Sequence, residues 1–291
     1  MITEIFYHTD NFCKVFESKI EKNILTDGKN KRRRSHKLSL SEIMTISIYY
    51  HYSGFNTFKD YYLKCVQKEL KKCFGNLVSY NRFLELKKKA SLPLALFAKM
   101  LNSGKCTGVS FVDSFPLSVC HKKRSSSNKT FKNIAKKGKT SMGWFFGFKV
   151  HMIINHNGEI ISFCITQGNI HDSNAEVIDK LTKKVKGKLF RDKGYLGKKL
   201  FEKLWSRGIK IVTKIKKNMK NKLMEMEDKI LLKKRGVVES VINILKRILL
   251  IDNTRHRNLS NFFSNLFSGL IAYAFRKKKP SLKTYCSGFI N

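Results

Sequence analysis

Two kinds of hydrophobic periodicity divide the chain. From residue 1 to about 105 the apolar positions recur at helical spacing, and helix-start signals punctuate them. Ser39 followed by Glu42 forms a capping box ahead of Ile43, Met44, Ile46 and Ile48. Gly54 ends that pattern, Asn56 or Thr57 can cap a second helix through Phe58, Tyr61, Tyr62, Leu63 and Val66, and Ser79 can cap a third through Phe83, Leu84 and Leu86. Three short helices joined by tight turns suit either a DNA-reading module or a supporting bundle.

From about residue 106 the period shortens towards two. Val109 to Val119, Trp144 to Ile154, Glu159 to Thr166, Lys188 to Asp192 and Lys210 to Ile215 are short runs rich in β-branched and aromatic residues. They predict five strands. Asn155-His156-Asn157-Gly158 has the composition of a hairpin turn. Ser173 with Glu176 reads as a capping box opening a helix through Val177, Ile178 and Leu181, and a second helix fits Lys198 to Arg207. A long final helix, VVESVINILKRILL, places Val238, Val241, Ile242, Leu245, Ile248 and Leu249 on one stripe and Arg235, Glu239, Asn243 and Lys246 on the other. This order predicts an α/β fold compatible with a ribonuclease H-like mixed five-stranded sheet flanked by helices, preceded by an all-helical N-terminal domain. The expected division is 1–105, 106–275 and a basic tail, 276–291. Two basic stretches, His121 to Thr140 and Lys216 to Arg235, read as loops.

Charge narrows the function classes. The 291 residues hold 59 Lys and Arg against 21 Asp and Glu, a net charge of +38 distributed along the chain. Such a chain calls for a polyanion, with nucleic acid first. A basic run at Lys29, Lys31, Arg32, Arg33, Arg34, His36 and Lys37 adds to this. Neither end shows a basic amphipathic helix with a clean apolar face, the start lacks the features of a signal peptide, and the longest apolar run, Phe262 to Phe275, is interrupted by Ser and Asn. The expectation is a soluble cytoplasmic, nucleoid-associated protein with no membrane partner. Seven cysteines without a Cys-x-x-Cys pair are expected to be reduced core residues rather than a structural zinc site.

Three acids stand in settings where solubility does not call for charge: Asp113 inside the apolar strand FVDSFPL, Asp192 at the end of LFRDKGYLG, and Glu239 near the start of the final helix. Taken singly, Asp192 could be a turn residue and Glu239 an ordinary solvated helix-face acid. Their order on strand, strand and helix is what points to phosphodiester chemistry by two hard divalent ions, for which Mg²⁺ fits an all-oxygen shell.

These segments resemble the insertion-sequence transposases with a DDE carboxylate triad on a ribonuclease H-like domain, closest to the insertion-sequence 982 family. FVDSFPLSV is similar to the first-Asp strand and LFRDKGYLG to the second-Asp motif, while Arg235, Glu239 and Lys246 match the third-acid helix signature, with Leu232 where its Tyr usually stands. GNIHDSN, SYNRFLEL and TRHRNLSNFFSNL also look familial. The resemblance implies catalytic, metal-holding roles for Asp113, Asp192 and Glu239, with two Mg²⁺ ions that Mn²⁺ can replace. It implies double-stranded DNA as partner, both as terminal inverted repeats and as target, with cleavage exposing 3′ hydroxyls, strand transfer, and a homodimer or higher multimer. Candidate DNA contacts are Arg235, Asn243, Lys246, Lys122, Lys123, Arg124 and Arg82. His171 and Asp172 are candidate auxiliaries, Asp172 also as a helix cap or as rival for the second acid. The competing readings are an inactive or repurposed DNA-binding protein and a ribonuclease H-like nuclease that does not join strands.

Overall fold

The computed structural model describes residues 1–26, 37–141, 143–192, 197–213, 224–252 and 256–282. The basic run at 29–36 and the tail residues 283–291 lie outside the described residues. The chain forms two compact units: residues 1–100 with 245–275, and residues 101–244 with 276–291. This division differs from the expected one at its C-terminal side, since the helix Leu259–Phe275 clusters with the N-terminal helices.

The first unit is helical: α1 (Ile2–Thr26), α2 (Leu40–Tyr49), α3 (Phe58–Asp60) continuing as wider π-type turns over Tyr61–Glu69, α4 (Tyr80–Lys89) and α5 (Ser91–Leu101). The capping chemistry is as read. Ser39 accepts from the Glu42 N–H while its own N–H donates to the Glu42 carboxylate at 2.7 Å. Thr57 caps α3 and Ser79 caps α4. Gly54 takes φ +74°, a backbone setting that a side chain would strain. The unit's last helix buries Phe262, Leu266, Leu270, Ile271 and Tyr273, and packs on α2 and α4. A helix apolar on that many sides must be enclosed by others.

The second unit is a mixed sheet. β1 (Val109–Cys120), β2 (Lys136–Thr140), β3 (Gly143–Asn155) and β4 (Ile160–Gln167) lead through α6 (Ala175–Leu181) to β5 (Gly187–Arg191), α7 (Lys198–Ser206) and β6 (Ile209–Thr213), then to α8 (Met226–Lys233) and α9 (Gly236–Asn243); α10 is Leu259–Phe275 of the first unit. β3 lies between β1 on one edge and β4 and β2, end to end, on the other; β1 pairs in parallel with β5, and β5 with β6. Four strands in antiparallel pairs followed by two added in parallel, with helical crossovers, make a ribonuclease H-like α/β sheet. The hairpin at Asn155–Gly158 forms around the Asn155 side chain, which accepts from the Asn157 and Glu159 N–H groups, and Gly158 takes φ +73°.

Side chains alternate across the sheet. Val112, Ile153, Ile161, Leu189 and Ile209 meet Val177, Ile178 and Leu181 of α6 and Leu200 and Leu204 of α7 in one core. Phe111 and Phe190, adjacent in register and stacked at 5.4 Å, belong to the opposite face. Each fully buried aliphatic or aromatic side chain here is worth roughly 1.5–3 kcal/mol of transfer free energy.

Several expectations are corrected. A sixth strand, β2, lies inside the basic stretch 121–140, and α8 lies inside 216–235, of which 216–223 are outside the described residues. Asp228, almost fully buried, takes Lys188 of β5 at 2.8 Å and Lys210 of β6 at 3.1 Å, which pins α8 to the sheet. The cap of α6 is Asn174, one residue past the expected Ser173. The final helix changes to π-type turns at Ile244–Ile248; wider turns rotate the later residues around the axis, so Ile248 is exposed while Leu245 and Leu249 stay buried. Of the six described cysteines only Cys13 and Cys65 are buried, Cys73 is exposed, and Cys106, Cys120 and Cys164 are intermediate; Cys286 lies outside the described residues.

Candidate active site

Alternation along β1 turns Asp113 to the Phe111 side and Ser114 to the other. Asp192 follows β5 one residue beyond Arg191, and alternation from Phe190 turns it to the Asp113 side. Strand and helix converge there on one side chain. Arg235, at the start of α9 and only 12% exposed, donates from Nη1 to the Asp113 carboxylate at 3.0 Å and from Nη2 to Glu239 at 3.0 Å, and lies 4.0 Å from Asp192. A single guanidinium therefore spans all three predicted acids. Arg235 and Glu239 meet because they are one helical turn apart.

Burial pushes the Asp113 carboxyl above the usual carboxylate range, against the downward pull of the Ser114 N–H and of Arg235. Asp192 and Glu239 are well exposed, with 61% and 65% of their side chains open. The arrangement is graded, from a half-buried strand carboxylate to two accessible ones.

A second network lies on the other face of β1. Asp172 accepts from Ser114 Oγ at 2.7 Å and from the buried Lys149 Nζ at 3.0 Å, and His151 Nδ1 stands 3.8 Å away. Burial works against the Asp172 carboxylate, but Ser114, Lys149 and His151 together hold its pKa below the ordinary value. Burial lowers His151 to about 4, so the ring is neutral. Arg191, nearly buried, interacts electrostatically with Asp172, Asp192 and Asp113. Asp172 is thus not the α6 cap, and it sits across the sheet from the Asp113 carboxylate. His171 turns to Ser173, whose hydroxyl is 2.7 Å from Nδ1.

Lys149, His151 and Arg191 were missed in the sequence. Their signal was present: polar residues at i and i+2 in the otherwise apolar GFKVHMII, and a cation preceding Asp192, are costly in a sheet unless partners await them.

The other predicted residues are dispersed. Lys122, Lys123 and Arg124 occupy an exposed 3₁₀ turn after β1. Asn243 is exposed at the end of α9. Arg82, on α4 of the first unit, pairs with Glu85 at 2.6 Å, and Lys246, also of that unit, faces Asp252 at 3.8 Å. Leu232, where the signature has Tyr, is buried on α8. Residues 193–196 of the second-Asp motif and 254–255 of TRHRNLSNFFSNL are outside the described residues.

Among the described residues no three His, Cys, Asp or Glu side chains stand close enough to hold a metal ion by themselves. Arg235 is the cation the three carboxylates share. Among the described residues, four carboxylates (Asp113, Asp172, Asp192, Glu239) face three cations (Lys149, Arg191, Arg235), a formal negative excess within a chain of +38. That balance and the oxygen-only donor set of the trio fit a hard divalent cation.

A sheet of this topology, with one acid inside β1, one just past the end of β5 and one on α9, defines a ribonuclease H-like α/β domain with an acidic site. The family model "Transposase DDE domain" matches residues 103–259, and the chain belongs to that family. No curated protein matches the chain. No described helix is long and apolar enough to cross a membrane.

Proposed function

We propose that the chain cuts DNA at the inverted repeats of a mobile element of the insertion-sequence 982 family and joins the freed 3′ ends to a target, with Asp113, Asp192 and Glu239 as the metal-holding catalytic residues. The observation that supports this is the reach of Arg235: three acids separated by 79 and 47 positions in the sequence lie within 4.0 Å of one guanidinium. Their oxygens can therefore serve a common centre.

In this reading Asp113, Asp192 and Glu239 would hold two divalent ions, Mg²⁺ or Mn²⁺, which would supply activation of a water or 3′ hydroxyl and neutralisation of the leaving oxygen. Arg235 keeps the acids together before binding and is then free to take a phosphate, a geometry that guanidinium matches with paired donors. Asp113, raised in pKa by burial, gains an ionised form from any cation added beside it. Asp172 stays with Lys149 and Ser114 and supports β1 from behind. The helical segment 1–105 is proposed to bind the element ends, through Arg82 among others, and Lys122, Lys123, Arg124, Asn243 and Lys246 to contact phosphates. Pairing of two ends requires a dimer or larger assembly.

The test is nicking of end DNA in Mg²⁺. Asp113→Asn, Asp192→Asn and Glu239→Gln should each reduce the rate at least 10³-fold, on the order of a lost transition-state interaction, while duplex binding in EDTA persists. Undiminished nicking by all three would remove the assignment. Joining of pre-cut ends separates a transposase from a nuclease that only cuts.

A further inference from the structure

An aromatic surface of the sheet unit stands open at its β2–β3 edge. Trp144 is 60% exposed at the start of β3. Directly opposite residues of an antiparallel pair share a face, and the register sets Lys139 against Trp144 and Lys137 against Phe146. Lys139 Nζ lies 5.9 Å from the indole centroid. The turn after β1 brings Lys122, Lys123 and Ser125 to the same place, closing a cleft of about 450 Å³ with Lys137, Trp144, Phe145 and Phe146. Among the described residues no carboxylate lines it. An apolar aromatic floor with an all-cationic rim is costly to leave in water and mismatched to an apolar protein segment, whose burial would desolvate three lysines without partners.

We infer that this cleft takes an unpaired base of a DNA strand, stacked on Trp144, with the flanking phosphates on Lys122, Lys123, Lys137 and Lys139. Every base offers a π face, so such a platform tolerates sequence while demanding that the base be out of its pair. A paired base has its faces covered by its neighbours and cannot enter. Fully duplex DNA would meet only the lysines. The inference rests on DNA being the chain's polyanion, and it is independent of which carboxylates cut.

The full chain carrying Trp205→Phe leaves Trp144 as its only indole, since the sequence has two tryptophans. In EDTA, this protein is titrated with a duplex containing a three-nucleotide single-stranded gap and with the fully paired duplex of the same sequence. The gapped duplex is expected to quench Trp144 emission and to bind roughly tenfold tighter, the scale of one stacked base. Trp144→Ala should erase that preference and Trp144→Phe should keep most of it, while Lys137→Gln weakens both duplexes alike. Equal binding and equal quenching by the two duplexes would overturn the inference without touching the cleavage reading, because duplex binding would persist. Tighter binding of the equivalent gapped RNA would overturn the choice of DNA. Loss of a dimer in Trp144→Ala with unchanged preference for the gap would make the cleft a contact between copies of the chain. The fluorescence reading needs no change at Trp144 and stands even if Trp144→Ala fails to fold.

Discussion

Charges out of place tell most at the scale of single residues. Asp113 costs the sheet something in isolation, and Arg235 offsets it. The first unit holds a buried cation with no carboxylate beside it among the described residues. Lys87, 1% exposed, sets its ammonium 3.9 Å over the Phe58 ring, and burial lowers its pKa to about 7. Nearby, burial takes His51 to about 4 and His256 to about 3, with the charge of Lys87 adding to both shifts. In the unfolded chain Lys87 titrates near its ordinary 10.5. Between about 7 and 10.5 the unfolded state holds the proton and the native state does not, so stability rises with pH across that window. Below about 7 the full cost of a buried charge remains. Lys87→Met is therefore expected to raise Tm by several degrees at pH 6, with the gain shrinking towards pH 10; thermal unfolding across that range checks it. A constant gain, or a loss at pH 6, would show that the ammonium is well solvated.

Elements follow local rules until their partners override them. The caps at Ser39, Thr57 and Ser79 form as side-chain chemistry dictates. β2, with sequence KKGKT, reads as a solvated loop, yet it becomes a strand because the edge of β3 at Gly143–Gly147 offers it a ladder. α8 likewise forms in a lysine-rich stretch, and Asp228 is the reason it stays on the sheet. Both lysines carry raised pKa values: at Lys210 the bond to Asp228 leads, and at Lys188 the acidic partners outweigh the opposing effect of burial. Asp228→Asn should remove two ion pairs and leave a buried amide between two cations, at roughly 2 kcal/mol after allowing for partly exposed partners. Amide exchange over 226–233 should rise about thirtyfold relative to α6; unchanged protection would assign α8's stability to Leu231 and Leu232 instead.

Across the whole molecule the excess of cations governs encounter with DNA. The exposed turn Lys122–Arg124 adds three charges beside β1. Replacing all three by Gln should lower the slope of log K against log salt for duplex binding by up to about 2.7, if each neutralises one phosphate. An unchanged slope would place the DNA path elsewhere.

What the sequence determined alone was local and chemical: helix starts from capping residues, five strands from period-two runs, the hairpin at Asn155–Gly158, the net charge and the three isolated acids. Only the tertiary structure decided matters of adjacency. It put Asp192 rather than Asp172 on the Asp113 side of the sheet, set Arg235 among the three acids, drew Lys149, His151 and Arg191 into a network behind them, turned Ile248 outward through π-type turns, and placed α10 with the N-terminal helices. The physical reason is that capping and alternation act over a few residues, whereas the burial of a charge is settled by whichever distant segment supplies its counter-charge.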